Sequence, residues 1–241
     1  MLYFLIPVFN EEGNLLKLHD SLTSLKTEQE RFFVFSDDGS SDNSVKLLHE
    51  LFKNEKFAVL GDGSNHGPGM AFNTGFEWIL THSANASDKV ITIEADNTSD
   101  LDILNKMLKI SDLEFDLVLA SVYAQGGGFD KTSFIRKLVS SVAGIIMRYF
   151  FDIKVLTISS FYRVYKISVI RNIKEKYNHI IEEKGFISAV EVLIKAIKVK
   201  ASIIEVPMVL YSKKRKGKSK MKVLKTSLDY FKFLLKSKAK L

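Results

Sequence analysis

Cysteine is absent from the 241 residues. There is therefore no disulfide framework and no thiolate chemistry, which fits a reducing compartment. No stretch reaches the ~18 to 20 uninterrupted apolar residues needed to span a bilayer. No basic segment precedes a signal-like apolar run, because the first strand begins almost at Met1. The expectation is a cytoplasmic protein, peripheral on the inner face of a membrane, with no signal peptide and no transmembrane span. No internal repeat or low-complexity linker divides the chain. No GK[ST] follows its glycine-rich loop and no GxGxxG follows its first strand, which argues against an NTPase and against a dinucleotide-binding oxidoreductase.

What is present is a soluble globular balance, 46% hydrophobic, with an uneven charge. Lys213 to Leu241 holds twelve Lys or Arg and one acid, Asp229, for a net of +11; residues 1 to 212 carry −4. A tail like this seeks phosphates, whether of nucleic acid, anionic lipid or a phosphorylated substrate.

The first half alternates. Strand patterns at 2–8, 31–36, 57–60, 89–94 and 115–121 are separated by helical ones, and strand, helix, strand at this spacing predicts an α/β fold with a mostly parallel central sheet flanked by helices. Ligands of such sheets bind outside the carboxyl ends of the strands. Those ends read PVFNEE, SDDGSSD, GDGSNHGPG and EADNTSD. Four such ends meeting on one edge predict a site. From about Thr132 the alternation stops, and a continuous extension is expected rather than a separate domain.

Each motif has two readings. In SDDGSSD, Asp37, Asp38 and Gly39 form a tight turn with Ser41 or Asp42 capping the next helix, or the carboxylates accept hydrogen bonds from a nucleobase or ribose. In EADNTSD, Glu94 and Asp96 lie two apart at a strand end and repel unless a cation sits between them, which suits an oxygen-seeking divalent metal with Thr98 as a further oxygen. The other reading is surface acids with a Ser99 cap and Asp102 three residues on. SNHGPGMAFNTG presents backbone N–H groups at a helix start, where a phosphate can sit; His66 reads as a loop residue. Phe134 to Phe151 is an amphipathic helix with basic polar positions, either packed on the core or lying in the plane of a membrane. SKKRKGKSKMK is a solvated basic tail or a flexible loop that closes over phosphates, and Met221 to Leu241 reads as a second surface helix for an anionic leaflet.

Together, IPVFNEE, SDDGSSD, NHGPGMAFNTG, EADNTSD, IIEVPM and RKGKSK resemble, in order and spacing, the family 2 glycosyltransferases of the GT-A nucleotide-diphospho-sugar transferase fold. The resemblance covers nearly the whole chain and is closest to the polyprenyl-phosphate, dolichol-phosphate-mannose-synthase-like branch. It implies a catalytic domain over 1–212, with its interfacial helix at about 132–152, and a basic loop and amphipathic helix over 213–241. It implies that Pro7, Asn10, Glu11, Asp37, Asp38 and Gly39 bind the nucleotide. Glu94, Asp96 and Thr98 would surround Mg²⁺ or Mn²⁺. Arg136, Arg163, Arg215 and Lys220 would hold the acceptor phosphate. The chain departs from the usual family residues at Glu94 (Asp), Thr98 (Gln), Val122 (Arg) and Phe161 (Gly), which leaves metal preference, sugar and acceptor open.

The reaction implied is inverting transfer of a sugar from a nucleotide-diphosphate sugar to a membrane polyprenyl phosphate, an acceptor already ionised near neutral pH. A hydroxyl acceptor, in cell-surface polysaccharide or glycolipid synthesis, would require a general base. Glu191 is the candidate, and its other reading is a helix-face carboxylate paired with Lys195. A non-catalytic membrane-binding scaffold is the third expectation. The acidic strand ends argue against nucleic acid, and the oligomeric state, homo-oligomer included, stays open.

Overall fold

Leu2–Val8 is a near-unbroken apolar run because the strand it forms is covered on both faces. Leu2, Phe4, Ile6 and Val8 enter one core cluster, while Tyr3 and Leu5 enter the other. The computed structural model describes residues 1–131, 134–217, 220 and 223–237, with side chains described outside 134–139, 223–225 and 237. Its first half runs β1 (Leu2–Val8), α1 (Glu12–Thr23), β2 (Arg31–Asp37), α2 (Ser44–Leu51), β3 (Phe57–Leu60), α3 (Pro68–His82), β4 (Lys89–Thr92), α4 (Leu104–Asp112) and β5 (Leu117–Ser121). The second half adds β6 (Gly128–Phe129), α5 (Phe134–Phe151), β7 (Arg163–Lys166), α6 (Ile167–Tyr177), α7 (Ser188–Lys198), β8 (Ile203–Pro207), β9 (Val209–Leu210) and α8 (Val223–Ser237).

The main sheet has seven strands in the order β3-β2-β1-β4-β7-β5-β8. All neighbours pair in parallel except β7, which is antiparallel to both β4 and β5. The sheet is thus mostly parallel, as the alternation predicts. The second half, expected as an extension, inserts one strand into the middle of this sheet and another at its edge. β7 escapes periodicity because it is four residues long and carries a cation at each end, Arg163 and Lys166. β6 and β9 form a small parallel ribbon of their own.

Successive strands step outward from β1 to β3, and β4 then starts again on the other side of β1. That reversal is the switch point of an open α/β sheet, and it leaves a crevice at the carboxyl ends of β1 and β4. Helices α1, α2 and α4 cover one face, and α3, α6 and α7 cover the other.

Helix α5 is oriented apolar side out. Gly144 and Met147 turn to the protein, while Val142, Ile145, Ile146, Tyr149 and Phe150 are exposed. Helix α8 packs beside it through Phe151 and Phe233, with ring centroids 5.8 Å apart, and exposes Leu228, Phe231 and Leu235. Of the 134–151 helix, a narrow stripe packs on the fold and the broad apolar face is open. Among the described residues, no helix is long and apolar enough to cross a membrane.

Candidate active site

β1 ends at Val8, and the chain turns at Asn10, which has a φ of 50°. This conformation suits an Asn whose side chain bonds nearby backbone. Asn10 Oδ1 accepts from the backbone N–H of Ser41 at 2.7 Å, and the Asn10 N–H donates to Ser40 Oγ at 2.9 Å. The Glu11 N–H donates to Ser44 Oγ at 2.8 Å. The ends of β1 and β2 are thereby stitched into one wall.

At the end of β2 the two oxygens of one carboxylate differ. Asp37 Oδ2 accepts from the N–H groups of Gly39 and Ser40 at 3.2 and 3.0 Å. Asp37 Oδ1 is buried and has no hydrogen-bond partner among the described residues. Asp38 instead holds the glycine-rich loop, with Oδ1 accepting from His66 N–H at 2.7 Å and Gly67 N–H at 2.9 Å. Burial raises the Asp38 pKa above the usual carboxylate range, opposed by those N–H groups. Gly39 has a φ of +74°, and a Cβ there would stand 2.7 Å from the Ser64 carbonyl carbon, so this turn requires glycine. The N-cap of α2 is Asn43, without a side-chain cap bond, rather than the expected Ser41 or Asp42; Asp42 Oδ1 accepts from Ser44 N–H at 2.9 Å just ahead of the helix.

β4 stops at Thr92, two residues earlier than expected, so Glu94 and Asp96 stand on the loop beyond it. Asp96 is buried, and its Oδ1 accepts from the Thr98 N–H at 3.0 Å and hydroxyl at 2.7 Å. Thr98 therefore orients Asp96. Glu94 is half-buried, and its pKa is pushed up to about 8, first by desolvation and then by the charges of Asp96 and Glu11, with Arg215 pulling the other way. The helix-start cap lies at Asp100, which accepts from Asp102 N–H at 3.2 Å, and not at Ser99.

The basic segment folds back over these acids. Arg215 grips Asp96 Oδ2 through Nε at 2.7 Å and through Nη2. Lys220 pairs with Glu11 and also donates to the Asn10 carbonyl at 2.9 Å. Tyr211 N–H donates to the Thr98 carbonyl at 3.0 Å and fixes the start of the segment. The residue that joins these parts is Asn14, four per cent exposed and on the first turn of α1. Its Nδ2 donates to Glu11 Oε2 at 2.6 Å and to the Lys216 carbonyl at 3.1 Å. Its Oδ1 accepts from Lys216 N–H at 2.8 Å, and its carbonyl accepts from Asn97 Nδ2 at 3.0 Å. Sequence reasoning passed over Asn14; the available signal was its place three residues after Glu11, on the same helical face.

Two expected site residues stand elsewhere. Arg163, expected at the acceptor phosphate, is fully buried: Nη1 donates to the Tyr165 hydroxyl at 3.1 Å and Nη2 to the Ile158 carbonyl at 2.9 Å. As part of β7 it points into the core and lines a small internal cavity with Phe72 and Phe76. Glu191 is buried on α7 and pairs with Lys195 at 2.7 Å, while its oxygens accept from the N–H groups of Glu182 and Glu183. The pairing alternative is the one the geometry shows. The side chain of Arg136 lies outside the described residues, and Pro7 sits within β1 opposite Ser36.

The donor set fits a hard divalent cation as an open half-site. Desolvation first, and then the charge of Asp96, raises the pKa of Glu94, and the guanidinium of Arg215 stands on Asp96. Among the described residues no cluster of three His, Cys, Asp or Glu side chains forms a closed cage. A cation with one or two protein carboxylates completes its shell from phosphate oxygens and water.

Residues 3–174 match the family model described as Glycosyl transferase family 2. Polyprenol monophosphomannose synthase of Mycolicibacterium smegmatis is 26% identical over 90% of this chain and 79% of its own length. Undecaprenyl-phosphate 4-deoxy-4-formamido-L-arabinose transferase of Proteus mirabilis is 33% identical over 47% of this chain and 34% of its own length. Among solved structures, glucosyl-3-phosphoglycerate synthase of Mycobacterium tuberculosis, in complex with Mn²⁺, UDP and glucosyl-3-phosphoglycerate, superposes with a TM-score of 0.67 at 15% identity. That match spans 98% of this chain and 79% of that one.

Proposed function

Since the chain belongs to glycosyl transferase family 2, and is therefore a glycosyltransferase of the GT-A fold, we propose that it transfers a sugar from a nucleotide-diphosphate sugar to a polyprenyl phosphate at a membrane surface. The observation that carries this reading is the outward apolar face of α5 and α8, joined in sequence to the basic segment that reaches the acidic strand ends. A lipid tail needs the first, and a lipid phosphate beside a diphosphate needs the second. The exposed apolar residues and the +11 tail suit an anionic leaflet. The two relatives named above act, by name, in polyprenol or undecaprenyl-phosphate chemistry.

In this reading the wall made by Asn10, Glu11 and Asp37 receives the nucleotide, its carboxylates serving as acceptors for base or ribose donors. Asp96, oriented by Thr98, and Glu94 would hold Mg²⁺ or Mn²⁺, which when bound supplies neutralisation of the diphosphate. Arg215 and Lys220, once off their carboxylates, bring two positive charges to the phosphates; the guanidinium fork matches phosphate oxygens in pairs. An acceptor phosphate oxygen attacks the anomeric carbon from the side opposite the diphosphate. The new C–O bond forms as the bond to the diphosphate breaks, and the diphosphate leaves with the electron pair. The acceptor has no proton to lose, so the scheme needs no general base, in keeping with a Glu191 already held by Lys195 and backbone N–H groups.

The test is transfer of radiolabelled sugar from a panel of UDP- and GDP-sugars into organic-extractable polyprenyl phosphate, with Mg²⁺ or Mn²⁺ and Asp96→Ala alongside. Metal-dependent lipid product that Asp96→Ala abolishes supports the reading and names the donor. Donor consumption with product on a glycan hydroxyl would replace it with the hydroxyl-acceptor reaction. No turnover with any donor, while vesicle binding persists, would leave a scaffold.

A further inference from the structure

Arg215 stands where a cation would have to stand. Asp96 has two oxygens: Thr98 occupies Oδ1 through its N–H and hydroxyl, and Arg215 occupies Oδ2 through Nε and Nη2. The two donors of Arg215 take both lone pairs of Oδ2, and its fixed positive charge repels a second cation, so Arg215 has to move for a divalent cation to bind Oδ2. Besides its own bonds to Asp96, Arg215 is held by contacts made on its neighbour. Lys216, its neighbour, is held on both backbone groups by one side-chain amide, that of Asn14, at 2.8 and 3.1 Å. Tyr211 N–H fixes the other end of the segment to Thr98. Asn14 is buried, and its amide reaches Lys216 and the carboxylate of Glu11 together.

We propose that Asn14 is a latch that positions Arg215 on Asp96, so that the segment 211–217 and a divalent cation compete for the same carboxylate. Entry of the cation displaces Arg215, and the displaced guanidinium becomes available to the phosphates arriving with it. The site exchanges an internal cation for an external one, and Asp96 is never left uncompensated. This inference rests on the reading of Asp96 as a cation-holding residue.

Two readouts test it without turnover. Mn²⁺ binding to the full chain is titrated by loss of the free-ion electron paramagnetic resonance signal, in the absence of nucleotide, for wild type, Asn14→Ala, Arg215→Gln and Asp96→Asn. Hydrogen exchange of the peptides covering 211–217 is followed with and without Mn²⁺. Asn14→Ala removes the latch without changing any charge. We expect it to tighten Mn²⁺ binding severalfold, and Arg215→Gln to tighten it on the order of tenfold, the scale of one charge-assisted hydrogen-bonded pair. A merely structural role for Asn14 would loosen the site and weaken binding. In wild type, Mn²⁺ should speed exchange across 211–217, and Asp96→Asn should abolish that response.

Mn²⁺ binding that Asp96→Asn abolishes, but that neither Asn14→Ala nor Arg215→Gln tightens, overturns the competition and leaves the cation site standing. Mn²⁺ binding indifferent to Asp96→Asn overturns the site itself, and the latch with it. Should Asn14→Ala fold poorly by circular dichroism, Arg215→Gln and the exchange response of the wild type decide the matter alone.

Discussion

At the scale of single residues, buried charge is used in two different ways. Glu191 and Lys195 are each three per cent exposed and neutralise one another on α7. Removing one partner strands the other in the core. Glu191→Ala should therefore cost roughly 3–5 kcal/mol in chemical denaturation, while replacing both with apolar residues of similar volume should cost far less. Glu94 is the opposite case, a carboxyl group raised to about 8 from an ordinary 4.5, first by desolvation and then by the acids Asp96 and Glu11. Between those values the folded chain binds more protons than the unfolded one, so stability falls as pH rises across that window. Glu94→Gln should flatten this slope in metal-free denaturation curves recorded from pH 5 to 8. A wild-type profile already flat over that range would refute the shift. The pairing of Glu191 with Lys195 was legible from their spacing of four on a helix. The burial of Arg163 was not, because it depends on β7 entering the sheet, a long-range event that no local pattern records.

At the scale of elements, the tightest joint lies where α3 begins. Gly69 N–H donates to the Lys184 carbonyl at 2.9 Å, and a Cβ on Gly69 would come within 1.9 Å of the Glu183 carbonyl oxygen and 2.9 Å of Ser188 Cβ. The backbone of 183–184 cannot yield easily, because Glu191 holds the N–H groups of Glu182 and Glu183. Gly69→Ala should destabilise by about 1–3 kcal/mol or more, as overpacking does, with a matching drop in thermal midpoint. Equal stability of the two proteins would mean that this joint is loose. The sequence reading gave the GPG turn its free backbone N–H groups for a phosphate; that Gly69 N–H is taken by a carbonyl more than a hundred residues away was invisible in the sequence. The first four strand ends were read correctly as one edge because parallel crossovers put them there by geometry. The cover over that edge was read only as a loop for phosphates; its seat on Asp96 depends on Asn14, a residue without a conspicuous motif of its own.

At the scale of the whole molecule, charge and greasiness are segregated. Residues 1–212 are net negative, and the +11 tail follows them. The open faces of α5 and α8, helices packed beside one another, supply Ile145, Tyr149, Leu228 and Phe231. If this surface meets a membrane, binding has an apolar part and an electrostatic part that separate experimentally. Ile145→Glu with Phe231→Glu should lower partitioning to anionic vesicles by at least tenfold in sedimentation, since each buried side chain contributes about 1.5–3 kcal/mol. Raising salt should weaken wild-type binding without abolishing it. Indifference to both changes would refute the docking surface. The position of β7 has a consequence of another kind, one of timing. On the ribosome β4 and β5 are made early, yet the strand that joins them arrives some forty residues after β5 ends, at Arg163–Lys166. Until then each presents an unpaired edge able to capture a strand from another nascent chain. The middle of the sheet closes only when β7 is made, and the edge strand β8 follows it; during that interval the nascent polypeptide exposes strand edges that a chaperone would cover.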